Sequence, residues 1–308
     1  MRRIAIIGGG ITGLSAAYEA IRAGALPVLI EQERELGGVI RTESRQGCTL
    51  EGGPDSFLAA KPAALELIRE LGLESDVIGS NDASRVTYLV RNGRLVPMPD
   101  GLMMMIPTRI LPVAASPLLG WGTKIKMGLE YFRRPGADPA DRTVEEFVRE
   151  HYGQETVDYL AEPLLAGVYG GSVRELSVRS VLPRFVEMES RYGSLTRGVL
   201  ASRAKAGKAE QAPLFQTLKG GLAQLVRELE RRILPSAERI TAAAETVERS
   251  GGGWRVRAAG DWIDAEAVLL ACPAWAASTL VEKAAPSVSR LLKPIPYSSS
   301  VTLSLVYR

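Results

Sequence analysis

Three glycines near the start of the chain have the spacing of a phosphate-binding turn. Gly8, Gly10 and Gly13 form a G-x-G-x-x-G motif that follows the apolar run 4–7 and opens a helical pattern. The glycines allow a tight turn, close approach of the backbone to a pyrophosphate, and close packing of the helix on the strand. Free N–H groups at the start of the helix then bind the anion. The predicted phosphate-binding residues are Gly8, Gly10, Ile11, Thr12 and Gly13.

An acidic residue ends the second apolar segment. Glu31 follows the run 27–30, at the position where a carboxylate accepts hydrogen bonds from the ribose hydroxyls of a dinucleotide. Gln32 comes next and is assigned to the same end of the ligand. A carboxylate here disfavours a 2′-phosphate, so the motif argues against NADP. Taken alone, this block leaves an NAD enzyme open.

A second glycine loop follows Glu31 directly. Its R-x-L-G-G-x-x-R-T pattern comprises Arg34, Leu36, Gly37, Gly38, Arg41 and Thr42. The string resembles the second pyrophosphate loop of the flavin amine oxidase superfamily, which includes monoamine oxidases, phytoene desaturases and protoporphyrinogen oxidases, and which NAD dehydrogenases lack. The resemblance implies that the cofactor is FAD. It assigns cofactor contacts to Arg34, Gly37, Gly38 and Arg41.

The composition indicates a soluble globular protein whose chemistry belongs to a cofactor. Of the 308 residues, 46% are hydrophobic and 24% are charged, a length and balance that predict two or three domains. Cys48 and Cys272 lie outside any C-x-x-C, so neither a disulfide framework nor a zinc site is expected. His151, the single histidine, argues against a histidine metal centre and a Ser-His-Asp triad, and we expect it on the polar side of a helix over 144–152. We therefore assign no catalytic side chain and no metal ligand.

The order of predicted elements indicates an α/β fold with an interrupted nucleotide-binding domain. Asn92-Gly93 is typical of a hairpin turn, and the apolar segment 267–271 is expected to rejoin the first sheet as a parallel strand. The predicted fold is a split Rossmann-like FAD-binding domain of the glutathione-reductase type, with an inserted helical domain and a partial mixed-sheet substrate domain. The predicted domains are 1–82 with 212–278 (FAD-binding), 101–211 (helical, with a membrane-associating surface left open), and 83–100 with 279–308 (substrate-binding).

Four longer strings resemble one branch of this superfamily, the oxygen-dependent protoporphyrinogen and coproporphyrinogen oxidases of haem biosynthesis. The strings are 51–57 (EGGPDSF), 161–177, 192–195 and 218–222. The resemblance covers the whole chain. It implies that Gly53, Pro54, Asp55 and Ser56 lie beneath the flavin.

The same resemblance implies the remaining site residues. Thr246 and Val247 stand where a backbone contact to adenine is expected, and Cys272 stands in the A-x-P string of the superfamily. Arg85 falls where the family places an arginine that pairs with a tetrapyrrole propionate, a role that suits the planar guanidinium. Gly167, Val168 and Tyr169 are assigned to the substrate, because the glycine-rich stretch lacks bulk and lets a macrocycle approach the flavin.

By resemblance, the reaction is the FAD-dependent, oxygen-linked oxidation of a porphyrinogen to a porphyrin in three two-electron steps. The implied substrate is protoporphyrinogen IX or coproporphyrinogen III, and the implied partners are this tetrapyrrole and molecular oxygen. Another flavin amine oxidase or a carotenoid desaturase is an alternative. A non-catalytic FAD-binding fragment is another, because family members continue beyond the strand pattern 301–308 and we expect a carboxyl-terminal truncation there.

Net charge and cysteine content limit which binding partners and which cellular compartment are expected. The net charge is only +3 and no aromatic residues are interleaved with the basic ones, so nucleic acid is not an expected partner. Cysteine usage fits a reducing, cytoplasmic compartment. By analogy with the family, the stretch Met103 to Trp121 and neighbouring helices could rest peripherally on the cytoplasmic membrane, although Arg109 and three prolines argue against a spanning helix. A homodimer is left open.

Overall fold

The computed structural model describes residues 2–81, 86–136, 140–206 and 213–307, and the chain divides into two compact units. Unit 1 comprises Met1–Asp82 and Ala212–Arg308, and unit 2 comprises Ala83–Gln211. Of the predicted substrate domain, 83–100 belongs to unit 2 and 279–308 to unit 1. The division into three functional domains stays a prediction.

The strands and helices have the following bounds. The strands are β1 (Arg3–Ile7), β2 (Leu26–Glu31), β3 (Thr42–Arg45), β4 (Cys48–Glu51), β5 (Phe57–Leu58), β6 (Val77–Gly79), β7 (Tyr88–Arg91), β8 (Arg94–Pro97), β9 (Leu102–Met103), β10 (Ile106–Pro107), β11 (Phe215–Leu218), β12 (Glu238–Thr241), β13 (Ala244–Ser250), β14 (Gly253–Ala258), β15 (Asp261–Ala265) and β16 (Ala267–Leu270). The helices are α1 (Ile11–Arg22), α2 (Pro62–Glu70), α3 (Ile110–Ala115), α4 (Trp121–Glu130), α5 (Val144–Tyr152), α6 (Gln154–Thr156), α7 (Glu162–Tyr169), α8 (Val178–Val181), α9 (Pro183–Tyr192), α10 (Leu195–Ala206), α11 (Ala223–Ile233), α12 (Ala274–Leu280) and α13 (Pro286–Leu292), with one π-helical turn at Val157–Ala161.

Unit 1 is built on a parallel sheet in the order β12, β2, β1, β16. Ile7 pairs with Ile30 of β2 and with Leu270 of β16, so the predicted parallel return of the late strand is confirmed. β12 adds to the far side of β2, with Thr241 opposite Glu31. Because the four strands run in parallel, their carboxyl ends meet at one edge of the sheet, where ligands bind in open α/β sheets.

Alternating side chains of these strands enter two different cores. Ile6 and Leu29 pack with α1 and α11 on one face, in a cluster that includes Leu14, Val226 and Leu229. The neighbouring residues Ala5, Ile7, Val28 and Ile30 pack on the other face, against Val247, Val256 and Ile263 of the antiparallel β13–β14–β15 meander. Strands that are buried on both faces have continuous apolar sequences, and β1 and β2 have such sequences.

Unit 2 is mainly helical over its described residues. Its core includes Leu118, Phe147, Tyr152, Leu160 and Leu165. The predicted hairpin is confirmed as β7–β8, and its turn residues Asn92 and Gly93 have φ of +50° and +71°, as a type I′ turn requires. Over the described ranges no helix is both long and apolar enough to cross a bilayer.

The sequence interpretation of His151 is wrong. Its side chain is buried between Glu130 and Glu189 and does not face solvent. α5 buries Val144, Phe147, Val148, His151 and Tyr152, which is the stripe that a 3.6-residue repeat places on one helix face. His151 therefore lies on the apolar side of the helix, and its two ring nitrogens are satisfied by carboxylates.

Candidate nucleotide-binding site

The first glycine turn lies at the carboxyl edge of the parallel sheet. Gly8 follows β1 with φ +113°, and a Cβ built there would lie 2.5 Å from the Ala271 carbonyl oxygen. A Cβ on Gly13 would lie 1.8 Å from the Gly8 carbonyl oxygen. Such contacts are far below van der Waals distance, so packing of α1 on the strands already requires glycine at Gly8 and Gly13.

Gly10 differs from its neighbours in the motif. A Cβ built on Gly10 would meet no protein atom within 4 Å. Gly10 is the residue before α1, where no side chain caps the helix, and the first turn of α1 contains no acidic residue. The N–H groups of this turn, including those of Ile11 and Thr12, have no side-chain cap, and the open space at Gly10 beside them suits an anion.

The structure brings the second glycine loop against the first. The Gly37 N–H donates to the Gly9 carbonyl at 2.8 Å, and Gly10 and Gly37 form a parallel bridge. A Cβ on Gly38, where φ is +60°, would lie 3.2 Å from the Gly10 Cα. Two loops that are separate in sequence thus form one glycine-lined cradle, defined by Gly10, Gly37 and Gly38.

Glu31 lies at the same edge and connects the two loops. Its carboxylate accepts the Gly9 N–H at 2.5 Å through Oε2 and the Glu33 N–H at 2.9 Å through Oε1. Because each carboxylate oxygen has two acceptor positions, Glu31 can still accept two ribose hydroxyls. Gln32 is exposed beside it.

Cys272, Thr246 and Val247 lie on the meander side of the sheet. Cys272 follows β16, and a Cβ on Gly8 would lie 3.2 Å from its backbone N. Burial raises the pKa of the Cys272 thiol, and the nearby Glu31 carboxylate raises it further, so the neutral thiol is the form present near pH 7. Val247 is buried in the core beneath the sheet, whereas Thr246, beside it, is half-buried at a register shift in β13.

The predicted segment beneath the flavin begins beside the second loop. A Cβ on Gly53 would lie 1.9 Å from the Val39 carbonyl oxygen, so Gly53 packs directly on the residue after Gly38. Pro54 and Asp55 are exposed, and Ser56 donates to Asp55 at 2.8 Å. Arg41 is exposed, with its Nε 3.4 Å from the Gly38 carbonyl, and the Arg34 carbonyl accepts a hydrogen bond from Arg239.

The predicted substrate residues belong to unit 2. Gly167, Val168 and Tyr169 are exposed at the end of α7, where Tyr169 donates to the Val181 carbonyl at 3.2 Å. A Cβ on Gly167 would meet nothing within 4 Å. Arg85 lies outside the described residues. The substrate roles of these residues stay predictions.

Two side chains that the sequence interpretation did not assign support the cradle from behind. Thr42 and Glu51 both reach the first residues of α11. Each lies within a string that resembles the family, but nothing in one sequence indicates that the strings 34–42, 51–57 and 218–222 meet in space.

A family model described as flavin containing amine oxidoreductase matches residues 11–308. This chain belongs to that family. The predicted superfamily is therefore confirmed, and the fold is the mixed α/β fold of flavin amine oxidases. Membership indicates that the cofactor is a flavin.

Individual relatives agree with this family. The coproporphyrinogen III oxidase of Propionibacterium freudenreichii subsp. freudenreichii is 33% identical over 334 residues, which cover 99% of this chain and 63% of that protein. The protoporphyrinogen oxidase of Homo sapiens is 30% identical over 328 residues, covering 100% of this chain and 67% of the human protein. A crystal structure of a protein from Exiguobacterium sp. 255-15 matches with a TM-score of 0.80 at 30% identity, over 94% of this chain and 63% of that chain. The chain thus spans about 63% of the length of the first of these relatives.

Proposed function

We propose that this chain supplies the FAD-binding part of an oxygen-dependent porphyrinogen oxidase. The substrate would be protoporphyrinogen IX or coproporphyrinogen III, and molecular oxygen would be the electron acceptor. The names of the bacterial and human relatives support this substrate class. The observation that carries the cofactor assignment is the open face of Gly10 beside Gly37 and Gly38.

The described residues fit the ADP half of FAD. The cradle of Gly10, Gly37 and Gly38 would hold the pyrophosphate, since packing requires glycine at Gly8 and Gly13 but leaves the space at Gly10 open. Glu31 would accept the ribose hydroxyls, and the backbone of Thr246 and Val247 would contact adenine. We interpret the parallel sheet with its two loops as a split Rossmann-like FAD-binding fold.

Bound FAD would accept a hydride from the macrocycle in each two-electron step and pass the electrons to oxygen. The task of this chain is then to bind and orient the cofactor. Glu31 joins Gly9 to the turn after β2, and the Gly37 N–H donates to the Gly9 carbonyl, so contacts within the protein already hold the two loops together. No described side chain is assigned as a general acid or base.

A Gly10→Ala substitution tests the cofactor site with little disturbance of the protein. The new methyl group meets no protein atom within 4 Å, and Gly10 has φ −70°, so we expect normal folding. The methyl group would occupy the pyrophosphate position, so FAD affinity should fall by roughly tenfold or more, measured by flavin fluorescence quenching. Gly122→Ala is the matched control, because Gly122 also faces open space and lies in the first turn of α4. Equal FAD affinity of Gly10→Ala and wild type would contradict the site.

Porphyrin fluorescence distinguishes a porphyrinogen oxidase from a non-catalytic FAD-binding protein and from another flavin amine oxidase. The purified protein, reconstituted with FAD, is incubated in air with protoporphyrinogen IX and, separately, with coproporphyrinogen III. Growth of porphyrin fluorescence above the uncatalysed rate is the expected result, and the faster substrate identifies the preferred one. A flavin spectrum without porphyrin formation would favour a non-catalytic FAD-binding protein, and oxidation of an amine instead would favour another flavin amine oxidase.

We also propose that unit 2 rests on an anionic lipid surface through one face of α4. Trp121, Ile125, Leu129 and Phe132 recur at helical spacing and are between 61% and 74% exposed; we call them the α4 stripe. Part of the stretch expected from the sequence is core, since Met105, Ile106, Leu118 and Leu119 are buried, whereas Ile110 and Leu111 are 84% and 82% exposed.

Charge around the α4 stripe fits an anionic surface. Between Gly101 and Gly136 the sequence has five basic residues, and its single acidic residue, Glu130, is buried. Lys124 lies 4.6 Å from the centroid of the Trp121 ring and also donates to the Ala114 and Ser116 carbonyls, so it joins α3 to α4. An exposed aromatic and aliphatic face with basic neighbours is typical of helices that lie in a lipid interface.

Co-sedimentation with vesicles tests whether the α4 stripe binds an anionic lipid surface. Wild-type protein should co-sediment with phosphatidylcholine vesicles that contain phosphatidylglycerol, and less with phosphatidylcholine alone. The double variant Trp121→Ser, Phe132→Ser should stay in the supernatant. Leu95→Ser is the control, because Leu95 is 69% exposed on β8, outside the stripe. Wild-type protein that remains in the supernatant with both vesicles would reject this surface.

A further inference from the structure

We propose that Glu51 and Thr42 are positioning residues for the cofactor, because they hold α11 against the second glycine loop. This inference rests on the proposed binding of FAD. The two side chains bond to each other and to the first residues of α11. Both act through α11, which lies behind the loop that includes Gly37 and Gly38.

Glu51 and Thr42 together satisfy the start of α11. The Leu222 N–H donates to Glu51 Oε1 at 2.7 Å, and the Ala223 N–H donates to Thr42 Oγ1 at 3.0 Å. The Thr42 hydroxyl donates in turn to Glu51 Oε2 at 2.6 Å. Leu222, the residue before the helix, has no side-chain acceptor of its own, so two residues far away in sequence replace a local cap. We call this group of Thr42, Glu51, Leu222 and Ala223 the α11 clamp.

Gly221 allows the clamp to close. It has φ +83°, and a Cβ built there would lie 2.2 Å from Thr42 Cγ2 and 2.9 Å from Glu51 Oε1. Glycine is therefore required at Gly221 for two reasons, its backbone conformation and the close approach of the Thr42 and Glu51 side chains. Thr42 and Glu51 are themselves paired across β3 and β4, which fixes their spacing before α11 docks.

α11 connects the clamp to the cradle through the Val226 side chain. A Cβ built on Gly37 would lie 2.9 Å from Val226 Cγ1 and 3.1 Å from Cγ2, so the Val226 side chain packs directly on the backbone of Gly37. Gly37 donates to Gly9 on its other side. The order of contacts is therefore clamp, α11, Val226, Gly37 and the first glycine turn. Loss of the clamp would release the first turn of α11 and loosen the support under Gly37, which weakens binding of a pyrophosphate.

Glu51→Gln and Thr42→Val test this role through FAD affinity. Both variants keep the side-chain volume while removing a charge or a hydroxyl from the clamp. We expect FAD affinity to fall by roughly fivefold to tenfold in each, measured by flavin fluorescence quenching at a temperature where the flavin-free protein is folded by circular dichroism. A merely structural role would lower the unfolding midpoint but leave the affinity of the folded protein unchanged. Glu43→Gln is the matched control, since exposed Glu43 lies next to Thr42 on β3 and pairs only with Arg45 at 3.0 Å among the described residues.

A double-mutant cycle with Val226→Ala tests whether the clamp acts on the cradle through α11 and Val226. If the clamp acts through Val226 and Gly37, the loss of affinity in Glu51→Gln, Val226→Ala should be smaller than the sum of the single losses in free energy. Additive losses would overturn the route through α11. If the wild-type protein binds FAD and both clamp variants bind it with the same affinity, the positioning role is overturned and the cofactor proposal is upheld. Absence of FAD binding in the wild type would overturn both.

Discussion

A single residue, His151, organises the buried polar centre of unit 2. Its Nδ1 lies 2.9 Å from Glu130 Oε1 and its Nε2 lies 3.1 Å from Glu189 Oε1. Hydrogen bonds to His151, Thr196, Leu195 and Ser194 outweigh burial and lower the pKa of Glu130. His151 thus bridges two buried acids through its two ring nitrogens, and its role in unit 2 is structural.

His151→Leu should destabilise unit 2 strongly. The change removes one hydrogen-bond partner from each of the buried carboxylates of Glu130 and Glu189, which costs about 1–3 kcal/mol of unfolding free energy. Urea denaturation followed by circular dichroism measures the loss at pH 7. Arg149→Leu removes an exposed cation from the same helix and should stay within about 0.5 kcal/mol of wild type. Similar losses in both variants would contradict the structural role of the buried histidine.

Acid should weaken the contribution of Glu189 to stability. Burial would raise its pKa, but hydrogen bonds from His151 and Arg142, at 3.1 Å and 2.5 Å, lower it from 4.5 to about 2. A carboxyl with a depressed pKa stabilises the folded state fully above its unfolded value, and this stability is lost as the pH falls through the folded value. The difference in unfolding free energy between wild type and Glu189→Gln should therefore be largest near pH 7 and shrink below pH 4.5. Glu187→Gln is the matched control, because Glu187 lies exposed on the same helix.

At the scale of elements, several helices of this protein are capped from a distance. α4 follows Gly120, which has no side chain, and Glu155 accepts the Gly120 N–H at 2.9 Å and the Thr123 hydroxyl at 2.5 Å. Glu130 accepts the Leu195 N–H of α10 at 2.7 Å, and Glu51 has the same role at α11. These carboxylates satisfy N–H groups and also fix where one element lies on another. At α1, by contrast, no side chain caps the first turn, and that end faces the proposed ligand.

Glu155→Ala should loosen α4. Burial opposes ionisation, but bonds from Thr123, Gly120 and Arg91 lower the pKa of Glu155, so the variant removes a charged acceptor from three donors. We expect a loss of about 2 kcal/mol in unfolding free energy and faster amide exchange in the first turns of α4. Asp158→Ala is the control, since exposed Asp158 accepts from Gln154 at 2.9 Å. Unchanged exchange in α4 would show that this cap is dispensable.

The sequence predicted the local elements of the site better than their supports. G-x-G-x-x-G, Glu31 and the second loop are each local patterns that can be found in the sequence, and the structure shows in addition that the Gly37 N–H donates to the Gly9 carbonyl. The α11 clamp could not be predicted, because a carboxylate that caps a remote helix has no local pattern. His151 is different: its spacing from Val144 and Phe147 indicates the buried face, although histidine as a residue type favours the polar side of a helix.

At the scale of the whole molecule, each unit has its own buried core. The clusters around Ile6 and Ile7 lie within unit 1, and the cluster around Phe147 lies within unit 2. The residues of the proposed FAD cradle all belong to unit 1. The two units are therefore expected to respond differently to the cofactor.

FAD should protect unit 1 selectively against hydrogen exchange. A ligand at 100 times its Kd stabilises the folded state by about 2.7 kcal/mol, and this gain reaches only the structure whose opening releases the ligand. Core amides of β1, β2 and α1 should exchange more slowly with FAD, whereas those of α5 should not change. Gly10→Ala at the same FAD concentration should show a smaller effect. Equal protection of both units would mean that they open together.

The pairing of β16 with β1 sets the time at which the site can form during synthesis. The two strands are neighbours in the sheet, yet all of unit 2 and most of unit 1 separate them in sequence. Such a non-local contact forms late, since the loop between the partners must close first. Gly8 packs on Ala271, so the first glycine turn lacks one wall until that residue has left the ribosome. On a nascent chain, unit 2 can fold first, and the flavin cradle is completed only near the end of translation of this segment.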